Sequence, residues 1–154
     1  TMHRLALTLS STLLLTLAAC SAEPSPQAAV IQQAQPSHAD LGKLRVHYNL
    51  LPTLAMNDAV ARSYQVQREA DRALLVVALR QLEQGEELPA DGKVQAIATD
   101  LSGKRQQIDL RAVRTGSYTD LIGVLDAHPR DQLRVDLQIS ADAGAGNVRF
   151  ERNF

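Results

Sequence analysis

"LRVDLQIS", residues 133–140, alternates without a break: Leu133, Val135, Leu137 and Ile139 fall on one side, Arg134, Asp136 and Gln138 on the other. Successive side chains of an extended chain point to opposite faces, so this period of two describes a strand with one buried and one wet face. On a helix the same four aliphatics would scatter around the axis. The pattern recurs upstream. "QIDLRAVR" (107–114) sets Ile108, Leu110 and Ala112 against Gln107, Asp109 and Arg111, and reads as a single strand. "ALLVVAL" (73–79) is apolar on both faces, as a central strand covered above and below would be. Further strands fit near 43–49, 94–101, 118–125 and 147–153.

Turn signals separate these runs: Pro89-Ala90-Asp91-Gly92, Ser102-Gly103, Gly116-Ser117, His128-Pro129-Arg130-Asp131 and Gly144-Ala145-Gly146-Asn147. Seven short strands so spaced give an all-β, antiparallel β-sandwich. One stretch departs from the pattern. "NDAVARSY" (57–64) opens with Asn57, a good N-cap, and carries Val60, Ala61 and Tyr64 at helical spacing, so it predicts one short helix docked on the sandwich.

The folded part is expected over residues 39–154, long enough to bury a core without disulfides. What precedes it has a different composition. Met2-His3-Arg4 leads an apolar stretch from Leu5 to Ala18 that ends in Ala19-Cys20, the order of a secretory signal peptide. About 14 apolar residues are too few for a membrane-spanning helix, which needs about 20. Cys20 is the chain's single cysteine, so no partner exists for a disulfide. Leu17-Ala18-Ala19-Cys20 resembles the lipobox of bacterial lipoproteins, which implies lipid on Cys20 and removal of residues 1–19. Ser21 follows where such lipoproteins avoid Asp, which implies the periplasmic face of the outer membrane in a Gram-negative bacterium. Residues 20–38 are rich in Ala, Gln, Pro and Ser; they form no core and read as a spacer, with a stretched reach of about 60 Å.

Other motifs carry a resemblance. "VHYNLLPTLAMNDAVARSYQV", "DRALLVVAL", "ATDLSGKRQ", the strand at 133–137 and the closing "VRFERNF" resemble the proteobacterial domain-of-unknown-function family 4426. The resemblance covers residues 41–154 and rests most on His47-Tyr48-Asn49, Thr53-Leu54, Val60-Ala61 and Tyr64. It implies an exported sandwich of immunoglobulin-like shape, often a lipoprotein, and no activity. In this family a glycine would follow Tyr64; this chain has Gln65.

Chemistry-bearing constellations are sparse. Nucleic-acid binding is excluded by a formal net charge of -1, the absence of Trp and only 3% aromatic residues. His3, His38, His47 and His128 show no metal-ligand spacing, and His47 shares the polar face of its strand with Arg45 and Asn49; neither metal nor cofactor is expected. Ser63, Ser102, Ser117 and Ser140 lack a nucleophile elbow. Asp109 with Asp120, or Glu86 with Glu87, fits solvated faces better than an acid–base pair. Phe150 and Phe154 at period two imitate a terminal barrel strand, but Arg152 shares their face and points instead to the edge of a core strand.

The expectation is therefore a non-enzymatic envelope module that binds a protein or wall component, moored to the membrane by Cys20. Its expected binding residues are Tyr48, Asn49, Tyr64, Arg68 and Arg72, around the helix-bearing connection. A hydrolase-like enzyme whose site is assembled from distant residues is the alternative.

Overall fold

The computed structural model describes residues 37–154, so Cys20 and the leader lie outside the described residues. The described chain is an immunoglobulin-like sandwich of two antiparallel sheets. One sheet has the order β1 (His38–Leu41), β2 (Leu44–Pro52), β3 (Arg72–Glu83), β8 (Tyr118–Asp126) and β7 (Arg111–Thr115), with β4 (Glu86–Pro89) paired to the far end of β3. The other runs β10 (Gly144–Asn153), β9 (Gln132–Ala141), β5 (Gly92–Asp100), β6 (Arg105–Ile108).

Alternation decides what fills the middle. Leu133, Val135, Leu137 and Ile139 of β9 face Leu44, Val46 and Leu50 of β2 and Leu75, Val77 and Leu79 of β3 in one buried cluster. The central-strand reading of 73–79 holds: β3 lies between β2 and β8, and its other face, Leu74 and Val76, belongs to a second, smaller cluster. That cluster is roofed by the segment joining β2 to β3, which holds a 3-10 turn (Thr53–Ala55) and the helix α1 (Asp58–Ser63). Met56, Ala61, Val66 and half-buried Tyr64 seal it against Leu74 and Ile122.

Six residues make a helix only if its ends are satisfied. Asn57 caps the start by accepting from the Ala59 amide at 2.8 Å. At the end, the Val66 amide donates to the Ala61 carbonyl and the Gln65 amide to that of Arg62, the paired bonds of a Schellman motif. The motif needs a left-handed residue, and Gln65 supplies it at φ 52°. This is where the family resemblance would place glycine. Gln65→Gly is expected to raise stability by up to about 1 kcal/mol in urea denaturation, because glycine adopts that conformation without a Cβ conflict; a destabilised variant would refute it. Thr53, the buried polar residue of the core, pins both ends of the excursion by donating to the Glu69 carbonyl at 2.8 Å and accepting from its amide at 2.9 Å.

Three differences from the sequence reading have physical causes. There are ten strands, because β1 and β4 span four residues each and are too short to display a period. "QIDLRAVR" is two strands: β6 pairs with β5 in one sheet, and after Asp109-Leu110 the chain crosses to pair as β7 with β8 in the other. Ile108 and Leu110 keep their alternation through the crossing because both face the same interior. "GAGN" is strand, with the turn at 142–143 instead. Gly144 and Gly146 are small because Leu41 of β1 presses on them from across the sandwich.

Side chains close the two open edges. Gln106 of β6 donates to the Asp126 carbonyl at 3.1 Å and accepts from its amide at 3.0 Å, stitching the sheets together beside the crossover. Arg152 of β10 reaches β2, donating to the Leu50 carbonyl at 3.0 Å and to Asn49 Oδ1 at 2.8 Å. Each satisfies backbone or polar groups that a sheet edge would otherwise leave unpaired.

Candidate functional site

Two outward faces carry polar side chains that the core does not require. The first is the end of the six-stranded sheet left bare by α1. Arg45 donates to Asp40 at 2.8 Å and to Glu87 at 3.1 Å, and His47 Nε2 meets the other Glu87 oxygen at 2.8 Å. His38 stands opposite His47 in register, with ring centroids 5.7 Å apart. Further along, Arg80 pairs with Asp120 at 2.8 Å and lies 4.4 Å over the Tyr118 ring, whose hydroxyl donates to the Glu87 carbonyl at 3.3 Å. Acids and bases are matched one to one. The Asp120 and Glu87 carboxylates are thus occupied by guanidinium and imidazole groups, which ties down the two acids that the sequence offered for acid–base work.

The network has a pH signature. His47 and then Arg45 hold the Glu87 carboxyl below its ordinary value of about 4.5, partly opposed by burial, and Arg45 does the same for Asp40. A depressed carboxyl stabilises the fold fully above its unfolded value and loses that contribution as pH falls through the folded one. Unfolding by urea is therefore expected to grow easier between about pH 4.5 and 3, and Glu87→Gln should flatten that limb while lowering stability at neutral pH. An unchanged acid limb would refute the coupling.

The second face is the outer side of the four-stranded sheet. Here the alternation that buries Leu133 to Ile139 turns Arg134, Asp136, Gln138 and Ser140 outward, and register aligns them with β5 and β10. Gln95, Gln138 and Asn147 stand side by side on three strands, all exposed. The next row is Arg149, Asp136 and Ile97, and the one after holds Arg134, Thr99 and Arg105. Asp136 takes ion pairs from Arg149 and, at 3.4 Å, from Arg134. These rows line a shallow depression of about 640 Å³. A second one of about 420 Å³ shares the three amides and extends toward Lys93 and Ser140.

The five residues expected to bind are placed apart and held by the fold. Tyr48 faces inward and stacks on Phe150, centroids 4.5 Å apart and planes 23° from parallel, and burial pushes its hydroxyl pKa up. Such a pair contributes about 1 kcal/mol. Asn49 accepts from Arg152. Tyr64 closes α1, its carbonyl accepting from Arg111. Arg68 ties Asp58 and the Leu54 carbonyl together, and Arg72 bridges Glu69 and Asp126. Tyr64, Arg68 and Arg72 follow the connecting segment, whereas Tyr48 and Asn49 lie on opposite faces of β2. What sequence reasoning missed is the amide row, whose members are isolated Gln and Asn residues until the strands pair.

With this geometry in view, the comparisons with known proteins agree on the fold. The pattern of the family described as a domain of unknown function, DUF4426, matches residues 38–154. The chain belongs to the DUF4426 family. A DUF4426 family protein from Pseudomonas aeruginosa PAO1 is 22% identical, with a TM-score of 0.63 over 76% of this chain and 92% of that one. FetP of uropathogenic Escherichia coli strain F11, expressed in the periplasm, is 10% identical with a TM-score of 0.53 over 76% and 91%. A copper-bound variant of FetP gives 0.54 at 10% identity over 76% and 93%. No curated protein matches the chain.

Proposed function

We propose that this DUF4426 protein is a non-enzymatic binding module of the Gram-negative envelope. Lipid on Cys20 holds it at the periplasmic face of the outer membrane, and residues 20–38 space the sandwich from the bilayer. The observation that carries the binding role is the depression on the four-stranded sheet: a hydrogen-bonding surface of exposed amides and guanidinium groups that packing does not account for. The lipobox-like Leu17-Ala18-Ala19-Cys20 supports the address, and so does the likeness to FetP as a periplasmic protein.

FetP is described with copper bound, but among the described residues of this chain no group of three or more His, Cys, Asp and Glu is placed to hold a metal ion. His38, His47 and Glu87 come nearest, and there Arg45 already occupies the carboxylate.

The test is cellular. Wild-type chain should fractionate with the outer membrane and Cys20→Ala with the soluble periplasm; equal partition of the two would overturn the anchor. A photo-crosslinker at Gln138 should capture envelope components, and one at Asp58, on the opposite sheet, should not. Identical capture patterns would overturn the binding face.

A further inference from the structure

We propose that the outer face of the four-stranded sheet binds a carboxylate-bearing oligosaccharide. The inference rests on the binding-module reading and names its ligand. Its starting point is the row of three amides, Gln95, Gln138 and Asn147, in register on neighbouring strands. Neighbouring strands lie about 4.8 Å apart, so the row extends over roughly 10 Å. Every amide presents a carbonyl acceptor and two N–H donors in one plane. That is the complement of a saccharide, whose ring hydroxyls both donate and accept along the length of the chain. The two depressions share this row and continue past it on both sides, which suits an oligomer better than a single ring.

Charge selects the acid. Lys93, Arg105, Arg134 and Arg149 face outward here against two acidic side chains, Asp136 and Glu151, on a protein whose formal net charge is -1. Arg134 and Arg149 are turned toward Asp136. Arg105, at the rim on β6, is exposed, and its planar fork matches a carboxylate in bidentate fashion. Ile97 lies between the amide row and the Arg134–Thr99–Arg105 row, an apolar patch for the C–H face of a sugar.

Other ligand classes fit less well. An extended peptide is recognised through an open sheet edge and apolar pockets for alternate side chains, and this is a polar face with Ile97 as its one large aliphatic. Single-stranded nucleic acid needs aromatic platforms, and no aromatic residue stands in these rows. A lipid surface needs apolar area that the face does not offer.

The experiment titrates the full, isotope-labelled chain with four probes: peptide-free peptidoglycan glycan strands, oligogalacturonate, neutral chito-oligosaccharide and a Glu-rich peptide. The first two carry carboxylates from different sources and separate a wall glycan from a uronate polymer. Saturable binding of at least one of them is expected, shifting the side-chain amide resonances of Gln95, Gln138 and Asn147. Arg105→Ala and Gln138→Ala should each weaken it by about tenfold with unchanged melting temperature, and added salt should weaken it further. No saturable binding to either acidic glycan, equal binding of the neutral one, or competition by the peptide at the same resonances would overturn the proposal. Cross-links from Gln138 to an envelope protein with no glycan binding would remove the saccharide and leave the module.

Discussion

Gly144→Ala is expected to lower stability by about 3 kcal/mol or more, read as a fall in the urea midpoint with the slope unchanged. An added Cβ would lie 1.9 Å from the Leu41 carbonyl oxygen, with the Leu41 carbonyl carbon and Leu44 Cβ both at 3.0 Å. The first two of those atoms are backbone, so no rotamer change relieves the overlap. Either β1 lifts away from β10, or the β9–β10 hairpin shifts and disturbs the pairing of Val148 and Phe150 above the core. Both routes open the sandwich where Ala39 and Leu41 pack against it. The informative control is Gly103→Ala. Gly103 has φ of +86° and nothing within 4 Å of the new atom, so it carries only backbone strain, about 1 kcal/mol. Equal losses at the two positions would refute the close-approach argument and return Gly144 to an ordinary turn residue.

These glycines show where sequence reasoning stops. Gly-Ala-Gly-Asn reads as a turn because glycine permits turns, but glycine also permits two backbones to touch, and only coordinates distinguish the two uses. The sandwich itself is legible because each long strand buries one face, which imprints a period of two on β5, β8 and β9. β3 is legible for the complementary reason, being buried on both faces. α1 announces itself through Asn57, whereas its C-terminal device is hidden: Gln65 does in a left-handed conformation what glycine does more easily. Four-residue strands and the change of sheet after Ile108 leave no imprint, since alternation reports burial and says nothing about the partner strand.

The candidate site is less legible for a related reason. Tyr48, Arg68 and Arg72 attract attention as residue types that build interfaces, but the fold uses them internally, in a ring stack and in ion pairs. Gln95, Gln138 and Asn147 attract none singly. Their alignment is a product of register, fixed by the β9–β10 turn and by the pairing of β5 with β9, and register is a long-range property. The same holds for the Asp40–Arg45–Glu87–His47 network, whose four members come from three strands.

Gly123→Ala is expected to cost about 2–3 kcal/mol, through overpacking in the interior. Gly123 sits mid-strand in β8, faces inward and pairs with Leu75. Its backbone is ordinary, so conformational freedom is not the reason for glycine. A Cβ there would lie 2.6 Å from Ile108 Cγ2, 2.8 Å from the Asp109 carbonyl oxygen and 3.0 Å from Leu110 Cδ2, the three residues that carry the chain from β6 to β7. Ile108 could turn its side chain, but the Asp109 carbonyl belongs to the crossing backbone, which Gln106 pins to Asp126 on one side and the β7–β8 ladder holds on the other. The clash therefore loosens the crossover, and amide exchange should accelerate first at β6 and β7 and leave β9 protected. Ile108→Val in the Gly123→Ala background removes part of the obstruction and should recover some of the loss, although Ile108→Val alone costs about 1 kcal/mol. Strictly additive destabilisation, or exchange that speeds uniformly across both sheets, would mean that Gly123 is not the gap through which the chain changes sheets.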